Sequence, residues 1–262
     1  MKSDARFASM TFPYMISFGS FSVHPHLLFE TLSYFIGFRL YLWLRRQDKD
    51  SLPLDKGIWV VAGAILGAAL GSKILAWLAD PVQLFDNLGS IAYLMSGKTI
   101  VGGLLGGLIG VELVKKWVGH SRSTGDSFVY PLITGMAIGR IGCFLTGLAD
   151  NTHGIATSLP WGVDFGDGIP RHPAQLYEIA FLIGLAAVIY MRKRFAYEQG
   201  DLFKLFMVGY LAFRFLVDFI KPYPGFYLGL TQIQLACLAG IFYYRKSLLR
   251  LFTFSQRREL NA

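Results

Sequence analysis

Two arginines lie inside apolar stretches of the sequence, where a charged side chain is unexpected. Arg140 lies in GMAIGRIGCFLTG and Arg214 in GYLAFRFLVDF. A cation in hydrocarbon is costly and by default marks a functional site. The planar guanidinium donates two parallel hydrogen bonds and stays charged when partly buried, which suits a phosphate group. We therefore predict that Arg140 and Arg214 together hold an anionic group.

Tyr210, Arg214 and Asp218 follow one another at four-residue spacing, so one helix face would carry all three. Two interpretations are open. Arg214 and Asp218 could form an ion pair that only fastens the helices, or the arginine could serve an anionic substrate.

A second polar stretch, RHPAQLYE, opens another apolar segment and supplies side chains that could contact a substrate. They are Arg171, His172, Gln175, Tyr177 and Glu178.

The sequence HPHLLFE places His26 and Glu30 four residues apart, so that they share a helix face, with His24 close by. Two histidines and a carboxylate could bind a metal ion, but the local sequence does not specify a full ligand set. Proton transfer by one of these residues fits an active site on the outer face better. Anchoring at the membrane interface is the third interpretation.

The composition indicates a membrane protein. Hydrophobic residues make up 53% and charged residues only 16%, against about 25% charged in soluble domains. A helix needs about 20 mostly apolar residues to cross a bilayer. We predict an all-α, polytopic bundle of seven transmembrane helices in one integral membrane domain, residues 1–262. The predicted segments are roughly 27–44, 57–79, 99–114, 127–149, 173–191, 205–220 and 229–244.

The positions of lysine and arginine predict the orientation. The loops after segments one, three and five and the C-terminal tail hold 16 of the 25, and the opposite loops hold five. This asymmetry predicts a cytoplasmic C-terminus and an N-terminus outside. Small outer-face elements are then expected at 1–26, 80–98 and 150–172. The net charge of +8 is mostly a topology signal, and no nucleic-acid partner is expected.

Glycines recur at four-residue spacing in segments two and three, which predicts close helix packing or room for a lipid. They are Gly63, Gly67 and Gly71, and Gly102, Gly106 and Gly110. There is no GxSxG, Walker or dinucleotide-binding motif, and the two cysteines give neither a disulfide framework nor a CxxC metal signature. No cofactor or metal is therefore expected.

The motifs resemble those of the prolipoprotein diacylglyceryl transferase family. GRIGCFLTG resembles the family's GRIGNFxNGE, and RHPAQLYE its RHPxQLYE. GYLAFRFLVDFIK is similar to Y-x-x-x-R-x-x-x-E-x-x-R. VGGLLGGLIG is similar to HGGLIG, and FPYMISFGSFSV to FPxxFxxGPxxI. The order and spacing of these motifs run through nearly the whole chain.

The resemblance implies a multi-pass enzyme of the bacterial inner membrane. The family moves a diacylglyceryl group from phosphatidylglycerol to the thiol of a lipobox cysteine in a prolipoprotein, and glycerol phosphate leaves. By this resemblance Arg140 and Arg214 match essential arginines, and Asp218 matches a glutamate. The implied partners are phosphatidylglycerol or another anionic phospholipid, and prolipoproteins.

The chain departs from the family pattern at several positions. The family histidine before GGLIG is replaced by Val101 or Leu105, depending on which glycines are matched. Cys143 stands where GRIGN has asparagine. The asparagine and glutamate of NGE are replaced by Thr146 and Leu148, with Asp150 two residues further on.

Two further departures lie elsewhere in the chain. The last arginine of the Y-x-x-x-R motif is Lys221, and HPHLLFE stands where the family has an Arg-x-Tyr-Gly type sequence. With the family histidine absent, we expect another base, either His26 or His172. Cys143 could act as a nucleophile only if a cation such as Arg140 stabilised its thiolate.

The resulting candidate site has two groups. The predicted catalytic residues are Arg140, Arg214, His26, His172 and Asp218. The predicted substrate-binding residues are Glu30, Cys143, Asp150, Arg171, Gln175, Tyr177, Glu178 and Tyr210. Two alternatives stay open: a phospholipid transferase or hydrolase with a non-lipoprotein acceptor, and a non-catalytic lipid-binding membrane protein.

Overall fold

The computed structural model describes residues 11–19, 21–47, 52–195, 197–222 and 227–248. Its α-helices are α1 (Pro25–Gln47), α2 (Leu54–Trp77), α3 (Pro81–Asp86), α4 (Ile91–Met95), α5 (Ile100–Trp117), α6 (Val129–Thr146), α7 (Ala174–Arg192), α8 (Asp201–Val217) and α9 (Gln232–Tyr243). Each of the seven predicted apolar segments overlaps with one of these helices.

Four helical stretches within the described residues are long and apolar enough to cross a membrane. They are Pro25–Gln47, Leu54–Trp77, Gly125–Asp150 and Ala174–Arg192. A helical membrane protein is therefore confirmed, whereas the number of seven spans and the orientation of the termini stay predictions. Asp218 follows the end of α8, in the 3₁₀ turn Asp218–Ile220, rather than lying within the helix itself.

Short strands modify the all-α prediction. β1 (Ile16–Phe18) and β2 (Phe21–Val23) form an antiparallel hairpin. β3 (Val163–Asp164) and β4 (Pro170–Arg171) form a second pair. The sequence signal was weak because strands of two or three residues are too short to show alternation.

Residues 80–98, predicted to form a small outer-face element, contain α3 and α4. Asp80 caps α3 by accepting a hydrogen bond from the Gln83 backbone N–H over 3.0 Å. Lys73 of α2 donates to the carbonyl oxygens of Ser96 at 3.1 Å and of Gly97 at 3.0 Å, and also to that of Met95. Lys73 therefore satisfies backbone carbonyl groups at the end of α4 and just after it.

The described residues divide into two compact units. The first is drawn from Met1–Leu44, Tyr130–Ala186 and Ile220–Pro222. The second is drawn from Arg45–Val129, Ala187–Phe219 and Tyr223–Ala262.

Within the first unit, glycines bring α1 and α6 into close contact. A Cβ added at Gly37 would lie 3.3 Å from the Pro131 carbonyl oxygen, and one at Gly135 would lie 3.3 Å from the Ser33 carbonyl oxygen. At Gly142 the added atom would lie only 2.6 Å from the Phe29 Cβ. This approach brings the start of α1 beside the end of α6.

Within the second unit, α2 and α5 pack through the predicted glycine faces. A Cβ added at Gly67 would overlap the Gly106 carbonyl oxygen, and one added at Gly106 would overlap that of Gly67. Because the obstructing atoms are backbone, no side chain can move to make room. The glycine spacing is therefore a packing device, and the helix-packing interpretation is confirmed.

Replacing Gly106 by alanine is expected to destabilise the protein, since the added methyl group would push α2 and α5 apart. Overpacking of this kind costs roughly 1–3 kcal/mol. Thermal unfolding of the detergent-solubilised protein measures the change. Gly103→Ala is the matched control on the same helix, because its Cβ would meet the nearest atom at an ordinary 3.8 Å. A Gly106→Ala protein as stable as Gly103→Ala would contradict this account of the interface.

Candidate functional site

Arg140 forms a buried ion pair in the first unit. Its Nε lies 2.8 Å from Oε2 of Glu178, and the two side chains are only 10% and 3% exposed. Arg140 comes from the middle of α6, and Glu178 comes from the start of α7. The carboxylate compensates a charge that would otherwise be prohibitive in apolar surroundings. The sequence named both residues as site candidates but did not pair them.

Cys143 lies next to this pair. Because it follows Arg140 by one helical turn, its Sγ comes within 3.7 Å of Nη1 of Arg140. The thiol is buried in α6. The thiol and the guanidinium therefore lie side by side along α6.

His26 is held between two carboxylates. Its Nδ1 lies 2.7 Å from Oδ1 of Asp150, and its Nε2 lies 3.4 Å from Oε2 of Glu30. The Asp150 side chain is 7% exposed, whereas that of His26 is 38% exposed. The imidazole is thus oriented from the protein side and is open to an incoming group.

Asp150 is itself held by further hydrogen bonds. It ends a 3₁₀ turn that begins at Gly147, whose φ of 73° a residue with a side chain rarely adopts. The Thr152 hydroxyl donates to Oδ2 of Asp150 over 2.6 Å, and Nε2 of Gln175 donates to Oγ1 of Thr152 over 3.0 Å. Sequence reasoning missed Thr152, because a threonine in a loop carries no signal until its neighbours are known.

Lys221 reinforces the same loop, since its ammonium group donates to the backbone carbonyl of Thr152. His153, the residue after Thr152, packs its ring against Phe165, with the two ring centroids 6.1 Å apart. Burial lowers the pKa of His153, and the charges of Arg171 and Lys221 lower it further. The imidazole is therefore neutral near pH 7, which suits its buried position against an aromatic ring.

The RHPAQLYE segment forms a second histidine arrangement. The Tyr177 hydroxyl lies 3.0 Å from Nδ1 of His172 and accepts a hydrogen bond from Nε1 of Trp161 over 2.8 Å. Arg171 donates to Oδ1 of Asp167 over 2.6 Å. This hydrogen bond lowers the pKa of Asp167. Trp161 and Asp167 were not predicted, and both lie in the loop between α6 and α7.

In the second unit, Arg214 and Asp218 form the ion pair that their spacing allowed. Nη2 of Arg214 lies 3.1 Å from Oδ1 of Asp218, and both side chains are buried. The Thr231 hydroxyl donates to Oδ2 of Asp218. Thr231 also opens α9 with a capping box that includes Gln234. Asp218 therefore links the end of α8 to the start of α9.

Tyr210 is fully buried, and its ring stacks on Phe206 with centroids 6.1 Å apart. Sequence reasoning missed Thr231, although its T-x-x-Q pattern is a recognisable capping signal. Arg140 belongs to the first unit and Arg214 to the second, and the idea that both hold one anion stays a prediction.

Comparison with known proteins identifies clear relatives. A family model described as prolipoprotein diacylglyceryl transferase matches residues 13–245. The chain is 34% identical over 246 residues to a protein of Bordetella parapertussis, covering 86% of this chain and 87% of that protein. It is 34% identical over 247 residues to one of Methylobacillus flagellatus, covering 86% and 88%. It is 32% identical over 225 residues to one of Cupriavidus metallidurans, covering 78% and 80%. All three are named phosphatidylglycerol–prolipoprotein diacylglyceryl transferase.

The buried Arg140–Glu178 pair can be tested by comparing a single with a double substitution. Glu178→Leu leaves a guanidinium in apolar surroundings without this carboxylate, which costs roughly 3–5 kcal/mol, whereas replacing both partners is often close to neutral. We expect the Arg140→Leu/Glu178→Leu protein to unfold at a higher temperature than Glu178→Leu alone. Thermal unfolding in detergent measures this, and a double variant less stable than the single one would argue against a coupled pair.

Proposed function

The chain belongs to the prolipoprotein diacylglyceryl transferase family, and we propose that it transfers a diacylglyceryl group from phosphatidylglycerol to a prolipoprotein cysteine. The observation that carries this proposal is the family match over residues 13–245. That match confirms the resemblance seen in the sequence motifs. The relatives are transferases by name, and the polar side chains of this chain supply the groups that such a transfer requires.

The proposed setting is the inner membrane of a bacterium. Residues 1–262 form a single integral membrane domain with seven spans, an outer N-terminus and a cytoplasmic C-terminus. Support comes from the helices found in all seven apolar segments and from the excess of lysine and arginine in alternate loops. The site then opens to the outer leaflet, where 80–98 and 150–172 are expected.

The reaction moves negative charge onto a phosphate. The acceptor sulfur attacks a glyceryl carbon, the bond from that carbon to the phosphate oxygen breaks, and glycerol phosphate leaves with the electron pair. Fixed cations that face the phosphate stabilise this change. Arg140 and Arg214 are the proposed cations, because a guanidinium fork matches the phosphate oxygens.

Each arginine is accompanied by a carboxylate that makes its burial tolerable before the lipid arrives. Glu178 lies at 2.8 Å from Arg140, and Asp218 lies at 3.1 Å from Arg214. These acids are proposed as positioning residues that fix the orientation of each guanidinium. Tyr210, one helical turn before Arg214 on α8, is proposed as a substrate-binding residue.

The acceptor thiol must lose its proton, and this chain lacks the family histidine that precedes GGLIG. We assign thiol activation to the cluster around His26, because its imidazole is oriented by Asp150 and is 38% exposed. Gln175 and Thr152 hold Asp150 in place through hydrogen bonds. His172, held by Tyr177, is the competing candidate.

If Arg140 and Arg214 bind the phosphate through their guanidinium forks, a positive charge alone at these positions should not support the full transfer rate. Arg140→Lys and Arg214→Lys keep the positive charge but lose the fork, so the transfer rate is expected to fall about tenfold to 100-fold, the equivalent of one charge-assisted hydrogen bond. The assay follows lipid modification of a lipobox peptide by mass spectrometry, with vesicles that contain phosphatidylglycerol. Arg39→Lys is the control, since Arg39 is an exposed arginine of α1. Full activity in both site variants would remove the arginines from phosphate binding.

If His26 activates the thiol, replacing it should lower the transfer rate more than replacing His172. His26→Gln is expected to lower the transfer rate at least about 100-fold, within the usual range for loss of a group that moves a proton or activates a nucleophile. His172→Gln is expected to cost less than about tenfold, because its role would be positional. His24→Gln, an exposed neighbour on the same segment, is the control. A larger loss of rate in His172→Gln than in His26→Gln would instead assign activation of the thiol to His172.

Complementation of a conditional strain that lacks its own prolipoprotein diacylglyceryl transferase tests the function as a whole. Rescue of growth is expected. Failure to rescue despite expression in the membrane would contradict a lipoprotein acceptor.

The replacements at Val101 or Leu105, Thr146 and Leu148 make transfer to a different acceptor the specific alternative function. Lipid mass spectrometry of an overexpressing strain would reveal its product, and a strain with no new product would indicate a non-catalytic lipid-binding protein.

A further inference from the structure

We propose that His26, Cys143 and Asp150 bind a divalent transition-metal ion, Zn²⁺ by their chemistry, which activates the acceptor thiol. The inference rests on the proposed function, since it names the means by which that site would act. It changes the interpretation of the His26 cluster from a proton acceptor to a set of metal ligands.

Three kinds of ligand atom converge at this place. A histidine nitrogen from the start of α1, the cysteine sulfur from α6 and a carboxylate oxygen from the following 3₁₀ turn lie within 4.8 Å of one another. Among the described residues this is the group of histidine, cysteine and acidic side chains that comes close enough to hold an ion. Imidazole, thiolate and carboxylate are the ligand types that Zn²⁺ takes in proteins.

The spacing is close to that of a tetrahedral site. Zinc bonds of about 2.0 Å to nitrogen and oxygen place those two atoms roughly 3.3 Å apart at the tetrahedral angle. Nδ1 of His26 and Oδ1 of Asp150 are 2.7 Å apart. Insertion of an ion therefore requires the two atoms to separate by only roughly 0.6 Å, which side-chain rotation of the half-exposed histidine can provide.

The groups behind the ligands match those that support a metal site. A metal-binding histidine usually donates its other ring N–H to a carboxylate, which fixes the tautomer. Here Nδ1 faces the proposed ion while Nε2 lies 3.4 Å from Glu30. Asp150 is held through its second oxygen by Thr152, and Thr152 is held by Gln175.

The sulfur has a supporting group as well. Nη1 of Arg140 lies 3.7 Å from Sγ of Cys143, close enough to donate to a metal-bound thiolate. Each of the three proposed ligands therefore has a fixed neighbour. A His26–Asp150 dyad would account for the orientation of the imidazole, and Cys143 joins it through a hydrogen bond to Asp150, so that Asp150 already contacts both of the other proposed ligands.

The same three ligands coincide with departures from the family pattern. Cys143 replaces the asparagine of GRIGN, Asp150 follows the replaced NGE segment, and His26 lies in the altered HPHLLFE sequence. His26 is far from the other two in the sequence, yet the three ligand atoms lie within 4.8 Å of one another. An asparagine amide is a poor ligand for zinc, whereas a cysteine thiolate is a strong one.

Three protein ligands leave the fourth position of a tetrahedral ion for a substrate, as in catalytic zinc sites. The prolipoprotein cysteine would occupy it and release its thiol proton to water, since a coordinated thiol is deprotonated outright. The bound thiolate sulfur then forms its bond to the glyceryl carbon. The bond from that carbon to the phosphate oxygen breaks, and glycerol phosphate leaves with the electron pair. The ion keeps its charge throughout, and no oxidant or reductant is needed.

The test measures the metal directly. Full-length protein, purified in detergent without a polyhistidine tag, is expected to contain about one zinc ion per chain by elemental mass spectrometry. After removal by a chelator, Co²⁺ should bind with the thiolate-to-cobalt charge-transfer absorption of a cysteine ligand. Cys143→Ser should lose that absorption, whereas Cys237→Ser should keep it. Cys237 is the matched control, a buried cysteine of α9 in the second unit.

Transfer to a lipobox peptide should fall at least about tenfold in the chelated protein and recover when Zn²⁺ is restored. Chelated protein that transfers at the full rate, or cobalt absorption that survives in Cys143→Ser, would overturn the metal site while leaving the transferase function intact. Stoichiometric zinc bound through Cys143 without any transfer from phosphatidylglycerol would instead leave the metal site standing and refute the proposed function.

Discussion

A buried cation that needs a counter-ion is the constraint on which the rest of this structure depends. Arg140 lies in an apolar helix, and its charge is tolerated because Glu178 meets it at 2.8 Å. The pair joins α6 to the beginning of α7 in the first unit. Arg214 repeats the arrangement in the second unit, where Asp218 and Thr231 connect the end of α8 to the beginning of α9. The interaction that joins each pair of helices therefore also fixes the orientation of a guanidinium, the group proposed to bind the phosphate.

The two arginines differ in what surrounds them, and the difference bears on their proposed roles. Arg140 contacts a carboxylate through Nε and the Cys143 sulfur through Nη1. Asp218, by contrast, divides its oxygens between Arg214 and the Thr231 hydroxyl. These contacts place Arg140 beside both a carboxylate and a thiol, and they connect Arg214, through Asp218, to the start of α9.

The helices could be predicted from the sequence because apolar length is a local property. Individual site residues could be predicted as well, but most of the contacts between them could not. Apolar length located all seven segments, and four-residue spacing located the Arg214–Asp218 pair. The Arg140–Glu178 pair joins two motifs, so it became visible only when α6 and α7 were folded together. Thr152 was missed because its importance comes entirely from Asp150 and Gln175. The short strands were missed because two or three residues are too few for a periodic pattern.

The departures from the family pattern are easier to understand in three dimensions than along the chain. Read in order, an absent histidine and a replaced NGE segment suggest lost chemistry. In the first unit, however, His26, Cys143 and Asp150 meet, and Glu30, Arg140 and Thr152 each support one of them. Substitutions that merely accumulated after loss of activity would have no reason to converge with a supporting group beside each one. The convergence supports the proposal that this chain has exchanged one means of activating a thiol for another, while the arginines proposed to receive the phosphate have been kept.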